Sequence, residues 1–125
     1  MSRMRKLAVL QWVGIFVAPF AWVGQHMVGQ AVAQISCSVA NGTWGVSNDT
    51  WQIALMVGAV LLILGSEAAA VAVYLGTRQA DYQSPPPVGR LQLFAVAAMA
   101  ANLIFLVIVV LDGVASVVDV SCRQS

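Results

Sequence analysis

The sequence predicts an all-α integral membrane protein with three transmembrane helices, and its composition supports this fold class. Hydrophobic residues make up 60% of the 125-residue chain and charged residues only 9%, which gives a mean hydropathy of +0.85. The apolar residues form three long segments, which we expect to be helices at about 7–35, 51–76 and 91–118. A bilayer core of ~30 Å needs ~20 apolar residues in a helix, so each segment is long enough to span it. We therefore expect residues 1–125 to form a single membrane domain.

The same composition excludes several classes of protein. A soluble domain carries roughly a quarter charged residues, and the polar remainder of this chain is too short to form one. The net charge of +1 and the lack of a basic stripe argue against nucleic-acid binding. The first apolar segment is too long for the hydrophobic core of a signal peptide, which favours a retained helix.

The first helix carries an unusual polar stripe. Pro19 lies near its middle, where proline removes a backbone N–H donor and should kink the helix. Beyond it, Trp22, His26, Gln30 and Gln34 follow one another at intervals of four residues, so they share one helix face. Because polar groups that face lipid are costly, we expect the stripe to face other helices or another protein.

The second helix follows the polar cluster 48–50, which we expect to cap it, and contains one charged residue in its apolar part, Glu67. The third contains Asn102 and Asp112. Depth is counted along each helix from the end that lies next to the connection 36–50 or the C-terminal tail. Glu67 and Asn102 then lie at about 22 and 24 Å, and His26 and Asp112 lie at about 13 and 9 Å. Similar depths therefore predict two pairs, Glu67 with Asn102 and His26 with Asp112.

Each pair has two interpretations. Ionisable residues inside a membrane are often functional, for example in proton relays or ion sites. The alternative is a structural contact between helices or with a partner subunit. We favour the structural contact, because one Glu, one Asp and one His at different depths do not form a continuous path.

The distribution of basic residues predicts the orientation. Three of the six Lys and Arg residues precede the first helix and two lie in the connection 77–90, whereas the connection 36–50 has none and the C-terminal tail has one. The positive-inside rule then places the N-terminus and the second connection in the cytoplasm. The first connection and the C-terminus are expected on the periplasmic or extracellular side.

Cys37 and Cys122 are the only cysteines, and this orientation places both just beyond a helix end on the outer side. An oxidising exterior would allow them to pair, and we expect a structural disulfide between the first and third helices. The alternative is a redox-active pair or a thiol oxidoreductase. The lack of a Cys-x-x-Cys motif and of a nucleophile–base set argues against that alternative.

The sequence predicts no catalytic residue, cofactor site or metal site in this chain alone. His26 is the only histidine, so it supplies at most one axial ligand to a haem. A metal site needs more ligands at a compatible depth. We therefore do not expect an enzyme.

Two segments resemble a known family. The first is Pro-Phe-Ala-Trp at 19–22, followed by His26 and, past the helix, Cys37; the second is the third helix, which opens with Arg-Leu-Gln-Leu-Phe at 90–94 and is followed by Asp-Val-Ser-Cys at 119–122. These segments are similar to those of small bacterial membrane proteins encoded beside aa3- and caa3-type cytochrome c oxidases. The resemblance implies an accessory or assembly partner of a terminal oxidase.

The expected function is thus that of a non-catalytic accessory (supernumerary) or assembly subunit in a bacterial inner (plasma) membrane. The expected partners are lipids and a larger complex, namely a respiratory cytochrome c oxidase or its supercomplex. The alternative is a small homo-oligomeric proton or cation transporter in which copies of Glu67 line a pore. The sequence shows no inverted repeat and no pair of broken helices, two features typical of transporters, and this argues against the alternative.

Overall fold

A computed structural model describes residues 2–36, 47–80 and 83–118 of the chain, which contain three long helices. Helix α1 spans Arg3–Ser36, α2 spans Asn48–Thr77 and α3 spans Val88–Val118. Each is long and apolar enough to cross a membrane. By helix length and composition, the chain is a multi-pass membrane protein of the all-α class.

The helices extend a few residues beyond the apolar segments. Helix α1 begins at Arg3, so its first turns contain basic residues whose apolar stems can lie along the helix while the charges reach the membrane surface. The predicted cap at 48–50 is wrong by one position. The N-cap of α2 is Ser47, whose Oγ accepts a hydrogen bond from the backbone N–H of Thr50 at 3.3 Å, and residues 48–50 form the first turn.

The three helices form an up–down–up bundle in which every pair of helices is in contact. Ser66 of α2 donates a hydrogen bond to the carbonyl oxygen of Gly14, whereas Gln52, at the start of α2, donates one to the carbonyl oxygen of Gly29. Residue numbers thus rise along α1 as they fall along α2, so these helices are antiparallel. The start of α1, the end of α2 and the start of α3 therefore lie together, and we call this the N-terminal end of the bundle. The opposite end contains Ser36 and Val118.

The distribution of side chains is that of a protein surrounded by lipid. Large apolar side chains cover the outside, where Phe20, Leu61 and Leu111 are each more than 60% exposed. The interior is rich in small apolar residues, such as the fully buried Ala18 and Ala95, and it also contains polar residues and a few larger aliphatic ones such as Ile63 and Val109. Small residues let the backbones approach closely, which is how transmembrane helices associate where lipid is as apolar as the core.

Candidate functional site

The centre of the bundle contains a polar cluster that joins all three helices. The hydroxyl of Ser66, which is 1% exposed, lies 3.0 Å from the carbonyl oxygen of Gly14 and 3.3 Å from Asn102 Oδ1. Asn102, also 1% exposed, donates from Nδ2 to Glu67 Oε2 at 3.2 Å. The structure thus brings Glu67 and Asn102 together, and Ser66 connects them to α1. Since a buried polar group without a partner is costly, this cluster fixes the relative heights of the helices.

The second pair lies toward the opposite end, between α1 and α3. His26 Nδ1 and Asp112 Oδ2 are 3.4 Å apart, and the side chains are 48% and 28% exposed. The ring of His26 also stacks on Trp22, with centroids 6.2 Å apart, and Trp22 contacts Phe105 of α3. The carboxylate can accept a hydrogen bond from the imidazole in its Nδ1–H tautomer or as imidazolium. The His26–Asp112 pair is therefore partly exposed on the outside of the bundle.

The polar stripe on α1 does not face the other helices along its whole length. Gln30 and Gln34 are exposed, and Trp22 is only partly buried. The buried face of α1 instead consists mainly of glycine and alanine, and its members are Leu7, Gly14, Ala18, Ala21, Gln25, Gly29 and Val32. Gln30 and Gln34 therefore do not face the other helices of this chain, and their contact with another protein stays a prediction. The physical reason is that helices pack on the face that allows the closest backbone approach, which here lies one residue before the stripe.

Buried glutamines are the feature that the sequence reasoning missed. Gln25 donates from Nε2 to the carbonyl oxygen of Val109 at 3.2 Å, and Gln52 donates to the carbonyl oxygen of Gly29 at 2.9 Å. Gln92 of α3 is buried as well. The signal for Gln25 was present in the sequence, because it continues the 3.6-residue register of small residues on α1.

Within the described residues, the Glu67–Asn102 pair and the His26–Asp112 pair are separate. Asn102 and Asp112 are ten residues apart on α3, or about 15 Å along the helix axis, and no hydrogen bond there joins the two pairs. No group of three His, Cys, Asp or Glu in this part of the chain lies close enough to hold a metal ion. The predicted disulfide involves Cys37 and Cys122, which lie outside the described residues. The arrangement supports contacts between helices and recognition at the surface more directly than it supports proton transfer across the membrane.

Comparisons with protein families, with curated proteins and with solved structures find no match to this chain.

Proposed function

We propose that this chain is a non-catalytic accessory or assembly subunit of a larger membrane complex, and that its outer polar patch contacts a neighbouring subunit. This patch consists of His26, Gln30 and Asp112. The observation that carries the proposal is the exposure of the His26–Asp112 pair, 48% for His26 and 28% for Asp112. His26 lies about 15 Å inside the end of α1 and Asp112 about 9 Å inside the end of α3. In an isolated bundle the pair would therefore lie in the outer part of the hydrocarbon, next to the membrane interface.

Exposed polar side chains at this depth are unfavourable in lipid, because lipid offers them no hydrogen-bond partner. Gln30 adds a third such group one helical turn from His26 and is exposed. A helix of another subunit that carries polar side chains would satisfy them. Hydrogen bonds between transmembrane helices are worth about 0.6 kcal/mol on average, so several of them give selectivity rather than high affinity.

The identity of the larger complex is a separate part of the proposal. A respiratory cytochrome c oxidase of a bacterial inner membrane is proposed on the resemblance of residues 19–22, 90–94 and 119–122 to proteins encoded beside such oxidases. In that setting the N-terminus would face the cytoplasm, as the positive-inside rule predicts. The apolar exterior fits a subunit that lies at the periphery of a complex and keeps much of its surface in lipid.

The test combines purification with site-specific crosslinking in native membranes. A photo-crosslinking amino acid at Gln30 should attach to a protein neighbour, whereas the same group at Leu61, an exposed α2 residue, should attach mainly to lipid. Purification of the tagged protein in mild detergent should recover the partner, and mass spectrometry with a haem absorbance scan should identify oxidase subunits. A partner without haem would contradict the oxidase assignment alone. Lipid adducts at both positions would contradict the accessory function itself.

The transporter alternative makes a different demand on the structure. It requires Glu67 to face a shared pore, whereas Glu67 Oε2 here accepts a hydrogen bond from Asn102 of the same chain. Purification of a homo-oligomer alone, with proton or cation flux in liposomes that Glu67→Gln abolishes, would support the transporter over the accessory subunit.

A further inference from the structure

A groove of about 880 Å³ lies between α1 and α3 at the N-terminal end of the bundle. It lies on the same side as the outer polar patch but at the other end of the helices. Trp12 and Phe16 of α1, which stack with ring centroids 5.3 Å apart, form one wall, and Phe94 belongs to the other. Ala97 and Ala101 of α3 leave room at its inner part. The volume falls in the range of ~300–1,000 Å³ that is typical of small-molecule sites.

The mouth of the groove is positively charged. Arg5 of α1 and Arg90 of α3 both line it, and none of the residues that line the groove is acidic. Gln11 lines the groove about 9 Å further along α1. Arg3 is directed elsewhere, since its guanidinium donates to the carbonyl oxygen of Gly76 at 3.3 Å. Among the described residues, no carboxylate lies within ion-pair distance of Arg5 or Arg90. The groove therefore combines two cations at one end with an apolar channel behind them.

The length of the channel matches one leaflet of a bilayer. From Arg5 to Phe16 and from Arg90 to Ala101 there are eleven residues each, or about 16 Å of helix. Half of a bilayer core is about 15 Å. The groove is therefore long enough for the acyl chain of a lipid in one leaflet whose head group lies at the two arginines.

We propose that this groove binds an anionic glycerophospholipid. Its phosphate lies between Arg5 and Arg90, and one acyl chain runs along the channel past Trp12 and Phe16. The planar guanidinium group binds phosphate through two parallel hydrogen bonds, and basic pockets between transmembrane helices hold anionic head groups in this way. This site is independent of the proposed accessory function, since it needs only the lipid that surrounds the N-terminal end.

The test is native mass spectrometry of the full chain in detergent, titrated with phosphatidylglycerol or with phosphatidylcholine of identical acyl chains. Phosphatidylglycerol should be retained in preference. We expect Arg5→Gln and Arg90→Gln each to weaken its binding about fivefold, and the double variant about 25-fold. The matched control is Lys6→Gln with Arg78→Gln. This variant removes the same charge from two exposed residues at the same end that do not line the groove, and it should bind as the wild type does.

A second variant tests the contribution of the apolar channel separately from that of the two arginines. Ala97→Phe places a ring in the channel at an exposed position and keeps every arginine, so it should weaken lipid binding while far-UV circular dichroism stays unchanged. Equal retention of the two lipids, or equal losses in the arginine and control double variants, would overturn the proposal. Binding of inorganic phosphate as tight as that of the lipid would overturn it too, because the acyl chain would then contribute nothing.

Discussion

Substitution of Gly14 by alanine is the perturbation whose consequence the structure specifies most closely. A Cβ atom at this position would lie 3.2 Å from both Cβ and the backbone N of Ala70, and 3.3 Å from its Cα. None of these atoms can rotate away, because they belong to the backbone or are fixed to it. Helices α1 and α2 would have to separate by a few tenths of an ångström, and the 3.0 Å bond from Ser66 to the Gly14 carbonyl would lengthen.

Three terms decide the magnitude. Overpacking of a close contact costs about 1–3 kcal/mol, and weakening of the Ser66 hydrogen bond costs up to about 0.6 kcal/mol. Against these, alanine is a better helix former than glycine by up to about 1 kcal/mol. We therefore expect Gly14→Ala to lower the free energy of unfolding by about 0.5–2.5 kcal/mol.

The matched control is Gly65→Ala on α2, where an added Cβ meets nothing within 4 Å. This variant keeps the gain in helix propensity without the clash, so its stability should be equal to the wild type or higher. Gly29→Ala should lie between the two, because its new Cβ would be 2.8 Å from Gln52 Oε1, the end of a side chain that can move. Reversible unfolding in mixed lipid and SDS micelles, followed by tryptophan fluorescence, measures all three. If Gly14→Ala proves as stable as Gly65→Ala, the inferred close packing of α1 on α2 is wrong.

Three further predictions concern the polar interior and the cysteines. Asn102→Ala removes two hydrogen bonds at a fully buried position and should lower the free energy of unfolding by about 1–3 kcal/mol, so a change below about 0.5 kcal/mol would exclude a stabilising role. Gln25→Leu should change the free energy of unfolding by less than about 1 kcal/mol. The variant loses one hydrogen bond, but it also removes a buried Oε1 that has no hydrogen-bond partner among the described residues. A larger loss of stability would show that this oxygen does have a hydrogen-bond partner. Cys37 and Cys122 should resist alkylation until a reductant is added, and alkylation of both without a reductant would exclude the disulfide.

The sequence specified the helices well because transmembrane segments depend on one strong signal, the length of an apolar run. It predicted the partners Glu67–Asn102 and His26–Asp112 from depth alone, since helices of known direction place residues at calculable heights. It did not predict that Ser66 would join the first of these pairs to α1. A lone serine in an apolar helix can bond its own backbone, so its sequence context does not show whether it contacts a neighbour.

The sequence was less informative about which face of each helix is buried. In a soluble helix, the apolar stripe marks the core, but lipid and core are both apolar here, so that contrast disappears. The four-residue spacing of His26 and Gln30 therefore predicted a shared polar face, but not whether that face contacts helices of this chain or another protein. The spacing of Gly14, Ala18 and Gln25 identifies the buried face, since close backbone approach depends on small residues.

The seam between α1 and α3 is the side of the bundle best suited to specific recognition of other molecules. A second groove of about 490 Å³ lies between α1 and α2, but its lining is almost wholly apolar, so lipid chains can occupy it without selection. The α1–α3 seam carries the groove with Arg5 and Arg90 at one end and the exposed pair of His26 and Asp112 at the other. Charged and polar groups discriminate between partners in a way that apolar surfaces in lipid do not, because only they lose hydrogen bonds with the wrong partner. We therefore propose that one face of this small bundle combines a site for an anionic lipid with a contact surface for a protein, and each can be tested by substitutions outside the packed interior.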